Sequence, residues 1–301
     1  MSRYAPGAMF TLAHLSDAHL APMPVPNLAG IAFKQFAGYV NWLRSRRFIH
    51  RPDVLARIVS DLRGQKPDHI AMTGDIANIA LLFEFSRGAA WLTGLGEPEG
   101  VSVVPGNHDI YVAGAAELAR AHWSAFMRGD AGATAFPYVR RRGPIALIGL
   151  CSGVPAELFY ASGRLGADQL AKLAVALRQL KTEGLFRVVM IHHPPISESS
   201  SRKRLLDASE LIRVIGTHGA ELLVHGHDHM HMLNWLEGPD GTRVPAVGVP
   251  SASSAPSKGK ADAAYNLYRI ERTPNAWSCD MISRGFGAAG NVIELKREKL
   301  A

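Results

Sequence analysis

Short apolar runs bounded by glycine, proline or polar residues recur along the chain, and their length predicts buried β-strands. Six such runs lie at 10–15, 69–73, 101–104, 144–150, 186–191 and 221–224. Four segments between them carry apolar residues at helical spacing, at 53–63, 113–127, 166–180 and 209–217. Strands that alternate with helices predict an α/β layered fold. The region 244–284 is rich in strand-forming residues, and no repeat or linker divides the chain, so we predict one domain over residues 1–301.

Five of the predicted strands end in histidine, aspartate or asparagine. These candidate residues are Asp17, His19, Asp75, Asn107, His108, His192, His193, His227 and His229. Ligands of open α/β sheets bind beyond the carboxyl ends of the strands, so we expect these side chains to meet at one edge. In Asp-x-His and His-x-His on an extended strand end, both side chains point to one side. Nitrogen and oxygen donors without cysteine suit Mn, Fe, Zn or Co, and their number predicts two ions that share a carboxylate.

The motifs Asp-x-His, Gly-Asp, Gly-Asn-His-Asp, His-x-Pro and Gly-His-x-His follow one another between residues 10 and 230. In this order they resemble the calcineurin-like metallophosphoesterase family, and among its members the bacterial class III cyclic nucleotide phosphodiesterases. The resemblance implies a four-layer α/β sandwich, with two central mixed β-sheets flanked by helices, in place of an open sheet. It also implies two metal ions as cofactors, Mn²⁺, Fe²⁺/Fe³⁺ or Zn²⁺.

The resemblance further implies a metal ligand at seven positions. They are Asp17, His19, Asp75, Asn107, His192, His227 and His229. Asp17, His19 and His229 would hold one ion, and Asn107, His192 and His227 would hold the second. Asp75 would bridge both ions. The family's ligand lies two positions before Pro194, which implies His192 and leaves a structural role for His193.

Two further residues receive catalytic roles from the resemblance. His108 would face the substrate, and Asp109 would orient the His108 ring. A hydroxide that bridges the two ions would attack phosphorus in line with the leaving oxygen, and a protonated His108 could donate a proton to that oxygen. No serine or cysteine nucleophile is required.

These observations predict a dinuclear-metal-dependent phosphohydrolase, first of all a phosphodiesterase, acting on a small-molecule phosphate ester. Hydrolysis of phosphomonoesters or of a lipid-linked pyrophosphate stays open, although many lipid-linked pyrophosphate hydrolases have arginine where this chain has His108. A non-catalytic scaffold of the same fold is the alternative of another class. Such scaffolds usually lose ligands, whereas this chain keeps each expected one. Its basic runs have few interleaved aromatic residues, so nucleic acid is not the expected partner.

An insert at 20–52 separates the first motif from the predicted helix at 53–63. It begins with a proline-rich loop, and Phe36, Val40 and Leu43 then predict one face of an amphipathic helix that ends in a run of cations. The insert could be a lid, a peripheral contact to an acidic membrane surface, or a helix packed on its own domain.

The amino-acid composition limits the class of protein but does not identify a function. Hydrophobic residues form 47% of the 301 residues, which excludes a disordered chain. With 33 basic and 26 acidic residues the formal charge is +7, which favours anionic partners such as phosphates. The chain has two isolated cysteines, no secretory pattern and no apolar run of the ~18–20 residues that span a bilayer. We therefore expect a soluble, cytoplasmic protein.

Overall fold

The computed structural model describes residues 9–27, 30–256, 261–274 and 276–301. In chain order its helices and strands are β1 (Phe10–Leu15), α1 (Phe33–Asn41), α2 (Arg47–Ile49), α3 (Pro52–Gly64), β2 (His69–Met72), α4 (Leu82–Leu95), β3 (Val101–Val103), α5 (Ala115–Met127), β4 (Tyr138–Arg142), β5 (Ile145–Gly149), α6 (Ala167–Thr182), β6 (Phe186–Met190), α7 (Ala208–His218), β7 (Leu222–His225), β8 (Met232–Glu237), β9 (Arg243–Gly248), β10 (Ala264–Arg272), β11 (Trp277–Phe286) and β12 (Val292–Lys299). A π-helical turn, Trp42–Arg46, joins α1 to α2, and 3₁₀ turns cover Ser201–Lys203 and Pro239–Gly241.

The strands pair into two six-stranded mixed sheets. The first has the order β12-β11-β10-β1-β2-β3, and the second has the order β4-β5-β6-β7-β9-β8. Strands β1, β2 and β3 are parallel to one another, as are β5, β6, β7 and β9, while the remaining pairs are antiparallel. The predicted sandwich of two mixed sheets flanked by helices is confirmed.

The two faces of a central strand explain its unbroken apolar sequence. Val188 and Met190 of β6 belong to the core cluster that contains residues of both sheets, whereas Val189 belongs to the cluster that the second sheet forms with α6 and α7. Successive side chains of a strand point to opposite faces, so a strand buried on both sides needs apolar residues at every position. The same reasoning applies to Leu223 and Val224 of β7.

The six predicted strands and the four predicted helices are present with shifts of one or two residues at their ends. The helix α4 has no counterpart among the predictions. Its glycines weaken the helical pattern, and Gly88 is needed because a Cβ there would lie 2.7 Å from the Trp123 ring. Glycines that are needed for close packing lower the helix propensity and interrupt the apolar spacing, so the helical pattern of this segment is weak.

The insert packs against the loops that follow β2 and β3, with a different face from the predicted one. The buried side chains are Gln35, Tyr39 and Trp42, whereas Phe36 is 41% exposed. The Gln35 side-chain amide donates hydrogen bonds to the carbonyls of Ile79 and Ala80, at 3.0 and 3.2 Å. These tertiary hydrogen bonds turn a polar residue inward, which apolar spacing alone could not show. The single domain over 1–301 and the lid role of the insert stay predictions.

Candidate metal centre

The loops that follow β1 and β2 are joined to each other by backbone hydrogen bonds. The amide of Asp17 donates to the carbonyl of Gly74, and that of His19 donates to the carbonyl of Asp75, both at 2.9 Å. Five candidate ligands in these loops and in the one after β7 lie in the left-handed region of the Ramachandran map. Their φ angles lie between 38° and 70°, at Asp17, His19, Asp75, His227 and His229. Such sparsely populated conformations are typical of functional sites, where surrounding contacts hold them in place.

A first group of donor atoms surrounds the carboxylate of Asp17. The His229 Nε2 atom lies 3.0 Å from Asp17 Oδ1, and the His19 Nε2 atom lies 3.9 Å from the same oxygen. His19 Nε2 is also 3.8 Å from Asp75 Oδ2. The three side chains Asp17, His19 and His229 therefore present ligand atoms within 4.8 Å of one another.

A second group lies on the other side of the Asp75 carboxylate. His192 Nε2 is 3.3 Å from Asp75 Oδ2 and 3.1 Å from Asn107 Oδ1. His227 Nδ1 lies 2.9 Å from the same Asn107 oxygen. Asp75 Oδ2 thus stands between His19 of the first group and His192 of the second. The structure brings together the seven side chains that the sequence suggested as metal ligands.

The second oxygen of each carboxylate is held by the backbone. Asp17 Oδ2 accepts from the His227 amide at 3.1 Å, and Asp75 Oδ1 accepts from the His108 amide at 2.7 Å. Each carboxylate is therefore oriented with its other oxygen toward the imidazole nitrogens. Asp17 and Asp75 are 0% and 2% exposed, and within the described part of the chain neither has a lysine or arginine nitrogen within 4.0 Å. Two buried carboxylates whose nearby partners are imidazoles, without a lysine or arginine, fit a site for metal cations.

The electrostatics of His192 support this fit. Burial opposes protonation of its ring, but the Asp75 carboxylate favours it, and the balance raises the pKa of His192 to about 10. Burial alone would raise the pKa of Asp75, yet His192 and His108 hold it below its ordinary value. The site thus attracts positive charge strongly at the point where imidazole nitrogens, carboxylate oxygens and one amide oxygen meet. This donor set suits borderline first-row metal ions.

His108 lies beside both groups but is oriented by a residue other than the expected one. Its Nδ1–H donates to the carbonyl of Asn78. Asp109, expected to orient His108, instead accepts hydrogen bonds from the amides of Asp75, Ala77 and Gly106, at 2.7, 2.8 and 2.9 Å. The expected contact is therefore wrong: Asp109 connects the backbones of two ligand-bearing loops. Its pKa is raised to about 7 by burial and by the Asp75 charge.

The insert contributes two residues that the motifs did not identify. Arg46 Nη1 lies 2.8 Å from His108 Nε2, and Arg46 Nη2 lies 2.9 Å from His19 Nε2. The ring centroid of His50 lies 4.3 Å from that of His19, with the two rings tilted by 53°, and His50 Nδ1 is 2.9 Å from Ser253 Oγ. The position of the cationic run directly after the first motif was the one sequence feature that could have pointed to them. Burial and the nearby Arg46 charge lower the pKa of His108 to about 3.

His193 and Asp228 have partners of their own. His193 lies between Ser152 Oγ at 2.8 Å and the Ala161 carbonyl at 3.0 Å. Asp228 accepts from the hydroxyls of Ser197 and Ser199, at 2.6 and 2.7 Å. These side chains stabilise the loops around the site and lie outside both donor groups.

A cavity of about 530 Å³ opens in front of the two donor groups. Site residues such as Asp75, Asn107 and His229 form its floor, Arg46 and Lys203 add positive charge, and the apolar side chains of Ile49 and Met230 form part of its wall. Cavities of this size accommodate small organic ligands. No helix of the described chain is both long enough and apolar enough to pass through a bilayer.

Comparison with known proteins gives a consistent picture. The sequence model of the family described as calcineurin-like phosphoesterase matches residues 10–231. A search of curated proteins finds no match. A dimetal phosphatase from Danio rerio superposes with a TM-score of 0.66 at 15% identity, covering 97% of this chain and 98% of the other. The purple acid phosphatase PPD1 from yellow lupin (Lupinus luteus) seeds superposes with a TM-score of 0.61 at 13% identity, covering 97% of this chain and 54% of the other. At these identities the two structures show a common fold.

Proposed function

Since the chain belongs to the calcineurin-like phosphoesterase family, we propose that it is a dinuclear-metal-dependent phosphohydrolase. The observation that carries this proposal is the arrangement of two buried carboxylates among imidazole nitrogens and one amide oxygen. The first metal would be held by Asp17, His19 and His229. The second would be held by Asn107, His192 and His227, and Asp75 would be shared by the two.

When bound, two such ions activate a water molecule and stabilise the charge on phosphoryl oxygens. The protein's own residues orient the reaction. The backbone amides that hold the second oxygens of Asp17 and Asp75 keep both carboxylates from rotating. Asn78 fixes the His108 ring through Nδ1, and Arg46 packs against the same ring at the site.

We propose phosphodiesters as the first substrate class, because the cavity of about 530 Å³ has room for groups on both sides of the phosphate. The motif likeness to class III cyclic nucleotide phosphodiesterases points to the same class. Phosphomonoesters and lipid-linked pyrophosphates are the alternatives within the same chemistry. Parallel assays with bis-(p-nitrophenyl) phosphate and p-nitrophenyl phosphate separate diesters from monoesters, and a preference for the monoester would overturn the diester proposal.

Replacement of Asp75 tests the metal centre itself. Asp75→Asn keeps the shape of the side chain but removes the proposed bridging charge, so we expect the Mn²⁺ content to fall and turnover to be lost. Asp168→Asn on α6 is the matched control, because the Asp168 side chain is 77% exposed and pairs only with Lys172. Metal content is measured by elemental analysis after loading with Mn²⁺, Fe²⁺ or Zn²⁺. Full metal content and activity in Asp75→Asn would contradict the proposed site.

The same assays address a non-catalytic scaffold. A scaffold would bind metal without hydrolysing any phosphoester, whereas the proposed enzyme requires metal for turnover. Turnover that persists after chelation would contradict the metal-dependent mechanism, and an absence of turnover with each of the three metals would favour the scaffold.

The insert also presents apolar residues to the outside, and we propose that it contacts an acidic membrane surface. Phe33, Phe36 and Phe48 are 72%, 41% and 62% exposed, and Arg44 and Arg47 on the same segment are exposed as well. Aromatic side chains flanked by cations suit the interface of an anionic bilayer. We expect the protein to sediment with vesicles that contain phosphatidylglycerol and not with phosphatidylcholine alone.

The double variant Phe33→Ser/Phe48→Ser should lose this binding. Val175→Ser, at a 54% exposed apolar residue on α6, is the matched control and should bind as the wild type does. If wild-type protein stays in the supernatant with both vesicle types, the proposed membrane contact is refuted. That result would leave the proposed metal centre untested and unchanged.

A further inference from the structure

Arg46 lies at the centre of the candidate site although it belongs to none of the metal-binding motifs. It ends the π-helical turn Trp42–Arg46, which is fixed on both sides. Before it, Trp42 is buried in a small core with Tyr39 and Ile79. After it, the carbonyl of Ile49 accepts a hydrogen bond from the Ala255 amide at 2.7 Å. The turn therefore delivers the guanidinium to a defined place in the site.

The hydrogen bonds of the two neighbouring rings define what Arg46 does there. His19 Nδ1–H donates to the carbonyl of Ala77 at 3.1 Å, and His108 Nδ1–H donates to the carbonyl of Asn78, so each Nε2 carries a lone pair. Each terminal nitrogen of Arg46 lies close to both nitrogens of one ring, at 2.9 and 3.1 Å from those of His19 and at 2.8 and 3.1 Å from those of His108. It therefore lies over the face of the ring and not in line with the Nε2 lone pair. The guanidinium thus packs closely against both rings and uses one nitrogen for each.

Arg46 opposes metal binding at His19. The Nε2 lone pair of His19 faces the carboxylates of Asp17 and Asp75 and would be the His19 ligand atom. A cation held there would lie next to the Arg46 guanidinium, whose Nη2 is 2.9 Å from that nitrogen, and the two positive charges would repel each other. Arg46 also lines the cavity, where its N–H groups can meet a ligand.

The charge of Arg46 then calls for an anion. Arginine stays protonated in proteins, and among the described residues no carboxylate oxygen lies within 4.0 Å of its guanidinium. Two carboxylates cannot neutralise two divalent ions together with this guanidinium. A site with a surplus of positive charge binds anions, and a guanidinium with a free N–H group matches the geometry of a phosphoryl oxygen.

We propose that Arg46 is a substrate-binding residue whose guanidinium donates to a non-bridging oxygen of the phosphoryl group. This inference rests on the proposed phosphohydrolase function and assigns to the insert a part in substrate recognition. It predicts opposite effects of Arg46 on the two ligands of the site: Arg46 opposes metal binding and favours phosphate binding.

Two calorimetric titrations test whether Arg46 changes the Mn²⁺ affinity and the phosphate affinity in opposite directions. The full-length protein is titrated with Mn²⁺, and the Mn²⁺-loaded protein is titrated with inorganic phosphate. Arg46→Ala should weaken phosphate binding about 10- to 100-fold, the range for loss of a charge-assisted hydrogen bond, and should tighten Mn²⁺ binding. Arg46→Lys keeps the charge without the planar fork and should lie between Arg46→Ala and the wild type. Arg44→Ala is the matched control, because Arg44 is an exposed arginine on the same turn.

The outcomes separate this inference from the proposed function. Unchanged phosphate affinity in Arg46→Ala, or a parallel loss of phosphate and Mn²⁺ affinity as expected for a merely structural role, would overturn the assignment while leaving the metal centre in place. If the wild type and Arg44→Ala neither bind Mn²⁺ nor hydrolyse a phosphoester, the proposed function itself fails, and the role of Arg46 fails with it.

Discussion

Gly226, the glycine of the Gly-His-x-His motif, is the residue at which the packing of the candidate site can be tested most directly. A Cβ atom added at this position would lie 1.9 Å from Ser16 Oγ, 2.8 Å from Ser16 Cβ and 2.5 Å from Asp17 Oδ2. Rotation of the Ser16 hydroxyl cannot relieve this overlap, because the Ser16 Cβ is also too close. The Gly226→Ala methyl must therefore push the loop after β7 away from the loop after β1.

The size of the effect follows from these distances. An ordinary van der Waals contact begins near 3.4 Å, so the Asp17 oxygen must move by about 0.9 Å and the Ser16 hydroxyl by about 1.5 Å. Overpacking of a rigid interior costs about 1–3 kcal/mol of unfolding free energy. Asp17 Oδ2 is also the atom held by the His227 amide, so its shift would disturb the proposed ligands Asp17 and His227 together. Loss of such orientation typically weakens metal binding about 10- to 100-fold.

Two measurements test this reasoning in Gly226→Ala. Denaturant unfolding of the metal-free protein gives the packing cost, and titration with Mn²⁺ gives the change in metal affinity. Gly64→Ala is the matched control, because Gly64 lies within α3 and an added Cβ there has no atom within 4 Å. That control should gain about 0.5–1 kcal/mol from the higher helix propensity of alanine.

A second variant identifies the responsible contact. Ser16→Ala added to Gly226→Ala removes the most severe overlap and should restore part of both losses. If Gly226→Ala unfolds and binds Mn²⁺ as the wild type does, the close packing of these two loops is not what holds Asp17. If the double variant shows no recovery, the loss does not come from the Ser16 contact.

Three further predictions follow from the site and its surroundings. His108→Ala should keep its Mn²⁺ content but lower turnover, because Arg46 Nη1 loses the ring against which it packs; elemental analysis and steady-state kinetics would show this, and full activity would remove the proposed role of His108. Asp61 accepts from Arg284 at 2.7 Å and from the Tyr265 hydroxyl; burial raises its pKa, but these hydrogen bonds outweigh burial and lower it. Asp61→Asn should therefore cost about 1–2 kcal/mol at pH 7, and the difference from the wild type should disappear as pH falls below about 4 through the lowered folded-state pKa; a pH-independent difference in denaturant unfolding would contradict this. Burial raises the pKa of Cys279 to about 12, so in the variant Cys151→Ser this thiol should react slowly with a disulfide reagent at pH 8 until the protein unfolds, and rapid reaction in the native state would contradict that burial.

Local features of the sequence were enough to predict most of the framework. A strand buried on both faces must be apolar at each position, so β6 could be recognised from its run of apolar residues. A polar residue that ends such a strand lies at the edge of the sheet, because the positions before it are buried on both faces. For that reason the strand-end residues, from Asp17 to His229, could be named as a cluster before their distances were known.

The sequence patterns could not predict contacts between distant segments. The spacing of residues along the chain indicates a single helix or strand, but it does not indicate which segment packs against it. The inward face of α1 depends on carbonyls of Ile79 and Ala80 that accept from Gln35. Asp109 accepts hydrogen bonds from the backbone amides of two loops, because these amides are buried and need an acceptor other than water. The place of Arg46 was decided in the same way, since the core around Trp42 and the hydrogen bond between Ile49 and Ala255 carry that turn into the site.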